Sequence, residues 1–125
     1  MTDYYEGMTK PGEYYFEEGC YILELSNTSD DPACSIARAR LEAGQATRWH
    51  RLHGITERYV ILEGEGLAEL ERAESRKLGP GDVLVIQPGQ EQRITNLAAV
   101  DLVFLVVCTP RFIPEAYEDT ETLLA

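Results

Sequence analysis

The sequence predicts an all-β domain, a sandwich or barrel of short antiparallel strands. Three observations predict it. Apolar and polar residues alternate over strand-length runs, clusters of Gly, Pro, Asn and Asp interrupt those runs about every 8 to 12 residues, and no long stretch carries the 3.6-residue period of a helix. A length of 125 residues is that of one compact domain able to hold its own core without disulfides or structural metal. About eight or nine strands are expected.

The first 19 residues are rich in tyrosine and acid and are broken by Pro11 and Gly12, so they read as an arm that settles into a short strand over 13–16. Tyr14, Tyr15 and Phe16 in succession put rings on both strand faces. They are covered either across a subunit boundary or by the chain's own barrel as an edge strand. Cys20–Ser26 alternates Tyr21, Leu23 and Leu25 with Ile22 and Glu24, and the cluster 27–32, NTSDDP, ends it as a turn. The stretch 35–44 is the next strand, with Ala37, Ala39 and Leu41 on one face, Ile36, Arg38 and Arg40 on the other, and Gly44 closing it. The arginine face reads as solvated or interface surface, with an anion clamp as the alternative.

After the segment around the two histidines, Glu57, Tyr59 and Ile61 point one way and Arg58, Val60 and Leu62 the other, up to a hairpin at 64–66. The run 67–74 returns and decays into charge. Gly79, Pro80 and Gly81, then Pro88 and Gly89, divide 75–96 into turn, strand, turn, strand, with Val83–Ile86 apolar throughout. The seven residues 102–108 are all apolar, so both faces of that strand should be covered. Pro110 and Pro114 stop the sheet, and one or two acidic helical turns are expected from Glu115.

Composition excludes several functions. A net charge of −11, from 22 acidic against 11 basic side chains, repels phosphate backbones, so no nucleic-acid partner is expected. No apolar run approaches the length of a membrane span. The first residues lack the basic start and apolar block of a secretory signal, which favours the cytoplasm. Cys20, Cys34 and Cys108 are odd in number and lack C-x-x-C spacing, so they read as reduced thiols.

The chemistry concentrates in 44–66, GQATRWHRLHGITERYVILEGEG. It holds both histidines, His50 and His53, and Glu57 within eight residues. Imidazoles and a carboxylate in a short β context suit a divalent first-row metal.

Here the residues resemble the cupins, small jelly-roll barrels with two sequence motifs. Gly44, His50, Glu57 and Gly64 match the first motif, and Gly81, Gly89 and Asn96 match the second. The resemblance implies a double-stranded β-helix barrel over 20–109, an arm over 1–19, a tail over 110–125 and a homodimer formed by sheet packing and exchange of N-terminal strands. Familiar cupins hold their metal with three histidines and one glutamate. In this chain Leu52 stands where the second histidine belongs, His53 follows one place later, Gln92 replaces the histidine of the second motif, and Gln87 replaces its proline. The implied ligand set is His50, His53, Glu57 and Gln92, for iron, manganese, zinc or nickel, with the metal-free barrel as the alternative. His53 joins only if a bulge near Arg51 or the turn at Gly54 shifts the register by one.

Two functions follow. One is a metal-dependent small-molecule enzyme of oxygenase, isomerase or decarboxylase type. The other is a metal-free barrel for a small carboxylate or sugar, with Gln92 and Tyr59 donating hydrogen bonds and Arg48 or Arg51 supplying charge at the rim. A third, an interaction protein using only the aromatic arm, has least in its favour.

Overall fold

The computed structural model describes residues 12–121. Among these described residues eleven strands form two antiparallel sheets. They are β1 (Tyr14–Phe16), β2 (Cys20–Ser26), β3 (Ser35–Leu41), β4 (His50–Leu52), β5 (Thr56–Glu63), β6 (Gly66–Leu70), β7 (Arg76–Leu78), β8 (Val83–Ile86), β9 (Gln92–Asn96), β10 (Leu102–Thr109) and β11 (Tyr117–Asp119). The six-stranded sheet runs β1-β2-β3-β10-β5-β8 and the five-stranded sheet β11-β4-β9-β6-β7. The all-β expectation and the jelly-roll architecture hold. Among the described residues no helix is long and apolar enough to cross a membrane.

The alternation read from the sequence becomes the core. Ala39 and Leu41 of β3, Tyr59 and Ile61 of β5, Ile94 of β9 and Phe104 of β10 turn inward and pack together, all but excluded from solvent. Their neighbours in sequence face outward. Gly64 fixes the β5–β6 hairpin with φ +83°, and a Cβ there would stand 2.7 Å from the Asp101 carbonyl, so only glycine fits. Asn96 ties the far end together: its amide nitrogen donates to the carbonyls of Leu41 (2.9 Å) and Val100 (2.8 Å), and its oxygen accepts from the Ala98 amide.

Three expectations change. The segment from Glu115 makes a single 3-10 turn, Pro114–Ala116, and then becomes strand β11, because β4 offers a free edge that pairs Tyr117 with Leu52 and Asp119 with His50. Charge hid β7, where Arg76 and Lys77 are exposed and Leu78 alone turns into the core. Strand β10 is covered unevenly: Leu102, Phe104 and Cys108 are buried on the inner face, and on the outer face Val103 is buried while Leu105 and Val107 are half-buried. The aromatic arm packs as an edge strand on its own barrel: β1 pairs with β2, and Phe16 meets Phe112 and Tyr117 edge-on. The earlier part of the arm lies outside the described residues.

Candidate functional site

The site grows from β4, β5 and β9, whose inward faces share one end of the barrel. On β5 the period of two buries Glu57 together with Tyr59. On β9 it buries Gln92, and β4 sets His50 directly opposite as its paired residue. Gln92 therefore meets Glu57 and Tyr59, which are distant from it in sequence. The Tyr59 hydroxyl donates to Gln92 Oε1 at 2.7 Å, and Gln92 Nε2 donates to Glu57 Oε1 at 2.5 Å. Their amide link leaves Tyr59, Gln92 and Glu57 in one buried line.

Burial decides the electrostatics. Desolvation first, and then the negative charge of Glu18, push the Glu57 carboxyl up to about 7, against the opposing pull of His50 and the Gln92 amide. Desolvation, reinforced by Glu57 and Glu18, raises the Tyr59 hydroxyl well above its ordinary range, so it stays a donor. His50 is 1% exposed, and its Nδ1 lies 2.6 Å from the Arg48 carbonyl. A carbonyl only accepts, so Nδ1 carries a hydrogen and donates it there. Nε2 is buried and has no hydrogen-bond partner. Tyr117 stacks on the ring at 5.4 Å between centroids and fixes its plane.

Glu18, which the sequence reading passed over, completes the group. Its carboxylate lies 3.5 Å from His50 Nε2. The β1–β2 turn delivers it: Gly19, with φ +105°, lets the turn close, and the Arg48 amide donates to the Glu18 carbonyl at 2.7 Å. Its signal in the sequence is slight, an acidic pair before a glycine at a strand start. Glu18 and Glu57 both line a cavity of about 50 Å3 that reaches the surface beside Tyr14.

Three residues expected at the site lie elsewhere. β4 keeps a regular register through Leu52, and Gly54 turns the chain only after the strand has ended, so His53 remains outside and pairs with Glu118 at 2.6 Å. Arg51 bonds the same carboxylate at 2.8 Å, and Arg48 bonds Asp119 at 2.5 Å. Arg51 and His53 thus belong to the outer surface, since they alternate with the inward His50 and Leu52, while Arg48, ahead of the strand, has its side chain exposed and taken up by Asp119. Neither arginine supplies charge to the interior.

The ion implied by the cupin motifs finds a poor donor set here. Leu52, an inward-facing hydrocarbon packed with Ile55 and Cys108, stands where an imidazole would be needed. Gln92 spends its oxygen on Tyr59 and turns its amide nitrogen toward Glu57, and a nitrogen bearing hydrogens does not ligate. Among the described residues no three His, Cys, Asp or Glu side chains converge as metal ligands. These residues do not fit the familiar four-ligand centre.

Comparison with known proteins agrees with the architecture. Residues 37–108 match the profile of the Cupin domain. An uncharacterized protein of Methanocaldococcus jannaschii is 34% identical over 112 residues, spanning 88% of this chain and 86% of that one. Among solved structures, a predicted oxalate decarboxylase from Thermotoga maritima is 25% identical with a TM-score of 0.71, over 83% of this chain and 96% of that one. KdgF from Halomonas sp. has a TM-score of 0.71 at 20% identity, over 82% and 90%. A variant of Streptomyces PAC13 solved with uridine reaches 0.79 at 16% identity, over 97% and 93%; PAC13 is described as a nucleoside dehydratase.

Proposed function

The chain belongs to the cupin family, and from that premise we propose that it is an enzyme moving a proton on a small polar molecule held at the inner end of the barrel. One observation carries the reading: Glu57 is a fully buried carboxyl, oriented by Gln92 and lining a cavity, with its pKa at about 7. A group that titrates near neutrality gives and takes protons with equal ease. Gln92 and Tyr59 hold its plane, and the apolar walls keep water from competing. Solved cupins of similar shape named as a nucleoside dehydratase and a predicted oxalate decarboxylase support a small-molecule role. No step is assigned to a metal, since the donor set does not suit one.

The test is turnover of a mixture of small metabolites by protein purified with chelator, followed by mass spectrometry. At least one compound is consumed by the wild type, and Glu57→Gln slows its loss by 100-fold or more. Consumption that survives Glu57→Gln, consumption that requires added metal, or none at all overturns the reading.

We also propose a homodimer through the outer face of the six-stranded sheet. Val83 and Val85 of β8 are 55% and 47% exposed there, beside the half-buried Val60 and Arg58 of β5. Light scattering should give about twice 14.1 kDa, and Val83→Lys with Val85→Lys should halve it.

A further inference from the structure

The cavity that Glu57 lines is small and mostly hydrocarbon. Phe16, Ile22, Leu52, Phe104, Val106 and Phe112 carry much of its wall, and among the described residues no Lys or Arg lines it. Most of its polar groups are already engaged. Ser35 Oγ accepts from the Phe112 amide at 2.9 Å, the Tyr59 hydroxyl donates to Gln92 at 2.7 Å, and Glu24 accepts from Tyr14 at 3.4 Å. Glu18 faces His50 Nε2 at 3.5 Å. Glu57 differs, being 6% exposed: its Oε1 accepts from Gln92, and its Oε2 makes no hydrogen bond among the described residues. A buried oxygen of this kind is completed by a ligand or water.

These walls discriminate between ligand classes. A carboxylate would enter a space whose charged members, Glu18, Glu24 and Glu57, are all acids. A sugar carries a hydroxyl on nearly every carbon, and most of them would be buried against hydrocarbon without partners. For an ammonium the opposite charge is already spent: Glu18 faces His50, and burial favours the uncharged forms of Glu24 and Glu57. An uncharged molecule with one polar group avoids all three penalties.

We propose that the ligand is a short-chain alcohol whose hydroxyl bonds the Glu57 carboxyl and whose carbons lie against the apolar wall. A hydroxyl both donates and accepts, so it pairs with Glu57 whether or not the carboxyl holds its proton. The space sets the size. A volume of about 50 Å3 takes about three to five water-sized groups, and the opening beside Tyr14 leads a longer chain out to solvent. Removal of the carbons from water supplies the affinity, and the single hydrogen bond supplies the orientation. This inference rests on the reading of Glu57 as a proton carrier at a ligand site and names the chemical class that the site takes.

The test is a titration of the full 15N-labelled chain with 1-propanol, followed by two-dimensional NMR at pH 6, with propionate, n-propylammonium and glycerol in parallel. The four probes share a three-carbon chain and differ in charge or in the number of hydroxyls. Propanol should give saturable shifts at Glu57, Tyr59 and Phe104, and each of the other probes should bind at least tenfold more weakly. Glu57→Leu keeps most of the bulk and loses the hydrogen bond, so it should weaken propanol about tenfold. Arg51→Ala on the outer surface should leave binding unchanged. The proposal is overturned by a lack of saturable propanol shifts, by equal binding of any other probe, or by propanol binding that survives Glu57→Leu. The wild-type comparison of probes stands even if Glu57→Leu fails to fold. Propanol binding without any turnover would retire the enzyme reading alone; turnover of a charged or sugar-like compound without a preference for propanol would retire the alcohol alone.

Discussion

Two faces of one short stretch, 48–53, make opposite uses of the same residue types. On the outside, Arg48, Arg51 and His53 each meet a carboxylate of β11. Those acids are held below their ordinary range, Glu118 by hydrogen bonds from Arg51 and His53 and Asp119 by Arg48. On the inside, His50 faces Glu18 beside Glu57, with no arginine in reach among the lining residues, and burial drives Glu57 the other way. Water and a nearby cation make a carboxylate easy to ionise; their removal makes it a neutral acid near pH 7. Surface ion pairs of the first kind contribute little to stability, whereas interior groups of the second kind are poised for chemistry.

Substitutions should separate the faces. The largest effect is expected from Gln92→Ala, which strips the buried Tyr59 hydroxyl of its acceptor and Glu57 of its donor at once. Urea unfolding at pH 7 should show a loss of about 2–4 kcal/mol, the cost of leaving buried polar groups unmade.

Next comes Glu57→Gln, read through pH. The folded carboxyl titrates at about 7 and the unfolded one at 4.5, so protonation favours the folded state. Its contribution is complete below pH 4.5 and disappears as pH rises through 7, a change on the order of 3 kcal/mol. The variant should lose that part of the pH dependence between pH 4.5 and 8. An unchanged profile would mean that Glu57 is not isolated from water.

The outer acids have the reverse sign. Stability from Glu118 and Asp119 is present above their ordinary values and is lost as pH falls. Glu118→Gln should therefore flatten only the acid limb of the same profile.

Tyr59→Phe removes a single hydroxyl from the interior line and should cost about 1 kcal/mol in urea unfolding. The smallest effect belongs to the outer face: Arg51→Ala with His53→Ala should leave the unfolding midpoint where it was. A large loss there would erase the contrast between the faces.

Much of this was legible before any coordinates. Period-two alternation in Glu57, Tyr59 and Ile61 identified the inward face of β5, and the spacing of Gly44, His50, Glu57 and Gly64 located the first motif. Gln92 was placed by its distance from Gly81 and Asn96. His53 was ambiguous because a one-residue shift reverses a strand's faces, and only the observed register of β4 against β11 settles it. Strand β11 itself was misread, since Glu115 and its neighbours suit a helical turn until an open sheet edge offers them partners.

The sequence by itself determined the strand class and the shared face of Glu57 and Tyr59, because alternation and turn chemistry are local properties of the chain, and the resemblance to cupins implied the barrel and the inward direction of His50, Glu57 and Gln92. The tertiary structure decided the surroundings of those side chains. Glu18 enters beside His50, the arginines leave for the acids of β11, and Leu52 closes one side, all through pairings between segments far apart in sequence. Whether a carboxyl is an ordinary surface acid or a buried one near neutrality depends on its solvent and its charged neighbours, and both are set only when the sheets close.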